Sequence, residues 1–91
     1  MDKHDIYIKI ENEIQKNKDG LTELGRELFN HPEPGFKEVE SNKILTSFLR
    51  ENGISCRSDI CLTGIRAEIG NGEGYHIALV ADMDALIVDD G

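Results

Sequence analysis

The chain has 91 residues, enough for one domain at most, with 38% hydrophobic and 31% charged residues and no tryptophan. At this length only about 60–65% of the surface of the unfolded chain is buried on folding, so any core is thin and rests on Leu, Ile and Val. Eighteen acidic residues against ten basic ones give a net charge of -8, a sign that repels phosphate backbones and argues against a nucleic-acid partner.

The excess acid suits a solvated helix face, or a divalent cation wherever carboxylates converge. No stretch approaches the ~20 consecutive apolar residues needed to span a bilayer, so no membrane association is expected. The start, Met1-Asp2-Lys3-His4-Asp5, does not read as a signal peptide. Cys56 and Cys61 have neither zinc-finger spacing nor the density of a disulfide scaffold, and read as reduced thiols of a cytoplasmic protein.

In chain order, Ile6, Ile10 and Ile14 step by four, and Leu21, Leu24 and Leu28 continue by three and four. That spacing predicts an amphipathic helix. Asp19-Gly20 interrupts it. The glycine costs about 1 kcal/mol inside a helix, so one long helix weakened at Gly20 is expected, with two shorter helices as the alternative. His31-Pro32-Glu33-Pro34-Gly35 then enforces an irregular connection, because residues before proline avoid helical backbone. A second helix is expected over Lys37–Asn52, with Val39, Ile44, Leu45, Phe48 and Leu49 as its apolar face and Gly53 as its C-terminal cap.

Beyond Gly53 the period changes. Ile54–Leu62 and Ile65–Ile69 read as short strands around Thr63-Gly64, the second alternating Ile65, Ala67 and Ile69 with Arg66 and Glu68. Gly70–Gly74 is a turn rich in glycine. The run His76-Ile77-Ala78-Leu79-Val80-Ala81 has the pattern of a strand covered on both faces. The expected order is two helices followed by three strands, an α/β or α+β class. Asp89-Asp90-Gly91 follows with no element behind it, so residues 1–91 read as an incomplete domain.

Candidate chemistry sits in Ala81-Asp82-Met83-Asp84-Ala85-Leu86. In a strand, residues two apart point the same way, so Asp82 and Asp84 would face one site at the strand's C-terminal end, where open α/β sheets place ligands. Such a pair can bind a metal, orient a metal-bound histidine, share a proton, or simply end the strand in water. A calcium loop fails, because Leu86 and Ile87 occupy the places of its third acid and its glycine. Ala78–Asp84 resembles the first motif of haloacid-dehalogenase-type phosphohydrolases. That resemblance implies Asp82 as nucleophile, Asp84 as acid/base and magnesium as cofactor. Against it, Ala85 stands at a usual glycine, and the motif follows 75 residues of other structure.

Three segments together carry a second resemblance. Leu24–Glu38, containing His31-Pro32-Glu33-Pro34-Gly35-Phe36-Lys37-Glu38, then Leu62-Thr63-Gly64-Ile65, then Ala81–Leu86 occur in the order found in the metal-dependent amidohydrolases and peptidases of aminoacylase, hippurate hydrolase and indoleacetyl-amino-acid hydrolase type. The resemblance implies the N-terminal part of a zinc-peptidase-like α/β catalytic domain and hydrolysis of the amide bond of N-acyl amino acids or related peptides. It implies a divalent metal, zinc or manganese, in the complete enzyme, with none expected in this segment and no activity of the segment alone. Asp84 and Asp82 carry over as residues beside the metal site that orient its ligands through hydrogen bonds, not as ligands.

His31, between a helix end and two prolines, reads as a local hydrogen-bonding residue, and Cys56, Cys61 and His76 as structural. Phe29, Val80 and Ile87 depart from the histidine, arginine and proline usual at those places in the family. An unpaired sheet edge recruits other chains, so homo-oligomerisation is expected, and a non-catalytic oligomerising module is a third reading.

Overall fold

The computed structural model describes residues 2–88. Helix α1 spans Lys3–Lys16, α2 Lys18–Phe29 and α3 Val39–Glu51, and the strands β1, Cys56–Ile60, and β2, Gly64–Ala67, follow. The final Asp89-Asp90-Gly91, read above as the end of an incomplete domain, lies outside the described residues.

The single long N-terminal helix expected from the apolar pattern is corrected to two, giving three helices among the described residues. The break falls at Asn17 rather than at Asp19-Gly20. Asp2 starts α1 by accepting the Asp5 amide at 2.9 Å, the usual service of an N-cap carboxylate. At the other end, the Asn17 side-chain amide donates to the Glu13 carbonyl at 2.8 Å. Its backbone N–H is shared between the carbonyls of Glu13 and Ile14. Asparagine bonds readily to nearby backbone and so favours helix ends, whereas Gly20 is absorbed within α2. No residue of α1 or α2 is buried.

Helix α2 stops before Pro32, as the two prolines require. The next turn is closed by the Lys37 N–H on the Pro34 carbonyl at 3.0 Å, with Phe36 in left-handed backbone at φ 63. Helix α3 ends as its sequence implies. Gly53 takes φ 75, its N–H donates to Arg50 and the Ile54 N–H reaches back to Leu49 at 2.8 Å. These two bonds form the Schellman arrangement that satisfies the last carbonyls of a helix.

The two strands pair antiparallel, Cys56 with Ala67, Arg57 with Arg66 and Ile60 with Gly64, with an irregularity between Arg57 and Ile60. A Cβ at Gly64 would lie 2.6 Å from the Ile60 carbonyl oxygen, so this close strand crossing requires glycine there. Asp59, Cys61 and Leu62 all adopt positive φ around the turn. Cys56 and Cys61 are free thiols.

The third expected strand is corrected. Residues 76–81 form no strand among the described residues, and Ile77, Leu79 and Val80 are 88%, 97% and 92% exposed. A strand exists through its hydrogen bonds to a neighbour, and this run pairs with neither edge of the hairpin. The mixed helix-and-sheet character therefore stands, carried by three helices and a two-stranded antiparallel sheet.

Packing centres on α3, which contacts α2, β1 and β2. Its Ile44, Leu45, Phe48 and Leu49 are half-buried, whereas Val39, expected on the same face, is exposed. Among the described residues no hydrophobic one is fully buried. The radius of gyration is 16.0 Å against about 12 Å for a compact domain of this length, an elongated shape in keeping with the thin core.

Candidate functional site

The best-buried residues of the chain are polar: Glu38, Ser41, Asn42 and Thr46 around the start of α3, and Thr63 in the hairpin turn. Burying such groups is tolerable only with hydrogen-bond partners, and among the described residues no buried side-chain nitrogen or oxygen lacks one. The Asn42 amide donates to the Thr63 carbonyl at 2.8 Å, fastening the Leu62-Thr63-Gly64 turn to α3. Thr46 donates back to the carbonyl of Asn42 at 2.8 Å, the local bond that lets a threonine sit within a helix.

Helix α3 is capped from a distance. Glu38 occupies its N-cap position but makes no side-chain capping bond. Glu33 does so instead. One of its carboxylate oxygens accepts the Ser41 N–H at 2.7 Å and the Ser41 hydroxyl at 2.9 Å. The other accepts the Glu40 N–H at 3.1 Å. These are the second and third amides of the helix, the ones an N-cap side chain normally satisfies. The Ser41 N–H chiefly, then the Glu40 N–H, the Ser41 hydroxyl and the Val39 N–H, hold the Glu33 carboxyl below its ordinary value, opposed by partial loss of hydration.

The acidic segment meets the same place. The Ala85 N–H donates to the Glu33 main-chain carbonyl at 2.7 Å. Met83 and Ala85 are half-buried while Asp82 and Asp84 are exposed. The two acids thus share exposure to solvent, though not through the strand geometry expected for them.

All three sequence segments singled out above therefore converge on the start of α3. Glu33 and Asn42, the residues that join them, escaped the sequence reading. Capping residues are sought next to a helix start, and Glu33 lies seven residues before the first amide it caps.

His31 places Nδ1 2.8 Å from the Glu27 carbonyl. A carbonyl only accepts, so that nitrogen carries the proton, and the residue has the local role its setting implies. His76 is exposed. Among the described residues no three of His, Cys, Asp or Glu converge in a way that could hold a metal ion, so these residues do not by themselves fit one. A cleft opens between α2 and α3, lined by Leu24, Glu27, Ile44 and Phe48 among others, and neither Asp82, Asp84 nor Glu33 lines it. No described helix is long and apolar enough to cross a membrane.

No family model and no solved structure matches the chain. Curated relatives do. IAA-amino acid hydrolase ILR1-like 2 of Arabidopsis thaliana is 38% identical over 73 residues, 80% of this chain and 17% of the relative. Thermostable carboxypeptidase 2 of Saccharolobus solfataricus is 33% identical over 88 residues, 94% of this chain and 22% of the relative. N-acetyl-L-cysteine deacetylase of Bacillus subtilis is 38% identical over 71 residues, 77% of this chain and 17% of the relative.

The chain thus spans between 17% and 22% of the length of these relatives, and each match covers most of the stretch in which the three motifs meet. Plant, archaeal and bacterial relatives are all hydrolases by name, and the motif order found in the sequence is accounted for: the chain belongs to the amidohydrolase and peptidase family of the aminoacylase, hippurate hydrolase and indoleacetyl-amino-acid hydrolase type.

Proposed function

We propose that the chain is part of a hydrolase that cleaves the amide bond of N-acyl amino acids or related peptides, and that it is inactive by itself. The observation that carries this reading is the convergence of the Glu33, Thr63 and Asp82–Asp84 segments on the start of α3, because it gives the three family motifs one shared structural purpose. The relatives named for amide substrates support the substrate class. On this reading the segment belongs to a zinc-peptidase-like catalytic domain of a cytoplasmic enzyme.

Asp84 and Asp82 stand beside the reaction centre as hydrogen-bond acceptors. A carboxylate so placed orients an N–H or O–H donor and favours its positive charge without entering the bond changes itself. The divalent zinc or manganese that the family resemblance implies requires donors beyond those the described residues bring together. The exposed Ile77, Leu79 and Val80 make self-association of the isolated chain part of the proposal, since apolar runs with unpaired backbone recruit partners. The named relatives lend the phosphohydrolase reading of Asp82 no support.

Two measurements test this. The 91-residue chain, assayed with N-acetyl amino acids and zinc or manganese, is expected to show no turnover; clear turnover would refute its inactivity. Grafted in place of the matching segment of N-acetyl-L-cysteine deacetylase, it is expected to retain amide hydrolysis. Asp84→Asn should then lower kcat. A folded graft that hydrolyses phosphate esters and not amides would overturn the assignment.

A further inference from the structure

We propose that Glu33 is a positioning residue, coupling the start of α3 to the Asp82–Asp84 segment through its two ends. Its carboxylate holds the Glu40 and Ser41 amides and the Ser41 hydroxyl at 2.7–3.1 Å, while its own carbonyl receives the Ala85 N–H at 2.7 Å. The side chain therefore fixes where the main-chain carbonyl points, and that carbonyl is the backbone hydrogen-bond partner of the segment bearing both acids.

Geometry makes the coupling effective. Glu33 lies between Pro32 and Pro34, whose rings fix their own φ and confine the residues that precede them. With little freedom left in the main chain on either side, a side chain clamped to a helix end transmits its position to the carbonyl instead of dissipating it in torsions. The segment on the far side has little else to hold it. Asp82, Leu86, Ile87 and Val88 are exposed, and only Met83 and Ala85 are half-buried. The significance of this coupling for hydrolysis rests on the function proposed above, but the coupling itself does not.

The test is amide hydrogen exchange on the isotopically labelled 91-residue chain, and it involves no hydrolysis. Its failure would leave the amidohydrolase reading intact, and failure of that reading would leave this result intact. In Glu33→Ala, exchange at Glu40, Ser41 and Ala85 is expected to rise together by about two- to tenfold, the range given by losing one ordinary hydrogen bond. The amides of β1 and β2, held to α3 through Asn42, should keep their rates. Glu33→Gln retains a carbonyl oxygen for the Ser41 donors and should return Ala85 towards its original rate.

Unchanged exchange at Ala85 in Glu33→Ala would overturn the proposal. So would an equal rise in the hairpin, which would mark a mere loss of overall stability. Should Glu33→Ala not fold, Ser41→Ala removes the hydroxyl bond alone. Faster exchange at Ala85 with a steady hairpin would then support the coupling, and an unchanged Ala85 would overturn it.

Discussion

The hydrogen bond from Asn42 to the Thr63 carbonyl spans 21 residues, measures 2.8 Å and joins two residues that are each only 8% exposed. In Asn42→Ala the Thr63 carbonyl stays in place without its donor. The loss is then the desolvation cost of a buried acceptor, about 1–3 kcal/mol, and not merely the net worth of one hydrogen bond. Natural domains hold roughly 5–15 kcal/mol in total, and no hydrophobic residue among those described is fully buried, so such a loss should weaken the hairpin's hold on α3.

Asn42→Asp should be worse at neutral pH, because it sets two acceptors against each other where a donor stood. It should improve on acidification, once the carboxyl gains a proton to donate. Urea titration followed by circular dichroism gives the overall cost, and amide exchange across residues 60–64 locates it. The reasoning fails if Asn42→Ala shifts stability by less than about 0.3 kcal/mol, or if the Asp and Ala variants behave alike at every pH.

Gly64→Ala should destabilise the hairpin by on the order of 1–3 kcal/mol, since its new Cβ would press on backbone and not on a yielding side chain; loss of the cross-strand NMR contacts between residues 57 and 66 would register it. Acid should loosen the start of α3. The folded-state pKa of Glu33 is lowered from 4.5, so its contribution is present above that value and is lost as pH falls through the lower folded value. Helical signal followed through that range should show a component that Glu33→Gln lacks. Asp82→Ala and Asp84→Ala remove exposed side chains and should alter melting by no more than about 0.5 kcal/mol, so any activity lost in the grafted enzyme would be a loss of chemistry and not of fold.

Local signals were legible without coordinates. The apolar step of four in Ile6, Ile10 and Ile14, the prolines that end α2, the apolar face of α3 and its Gly53 stop are dictated by backbone sterics and helical period within a few residues of each site. The order of three short motifs was likewise enough to identify the family, because chemistry limits what can stand at each place in them.

Two things lay beyond that reach. The run His76–Ala81 has a strand's composition, yet it has no strand's structure among the described residues, because a strand is a relation between segments and this run is paired with none. Glu33 and Asn42 are ordinary polar residues in the sequence. Tertiary structure makes one the cap of a helix that begins six residues later and the other the donor to a carbonyl 21 residues away, since hydrogen bonds depend on distance in space and leave no periodic trace along the chain.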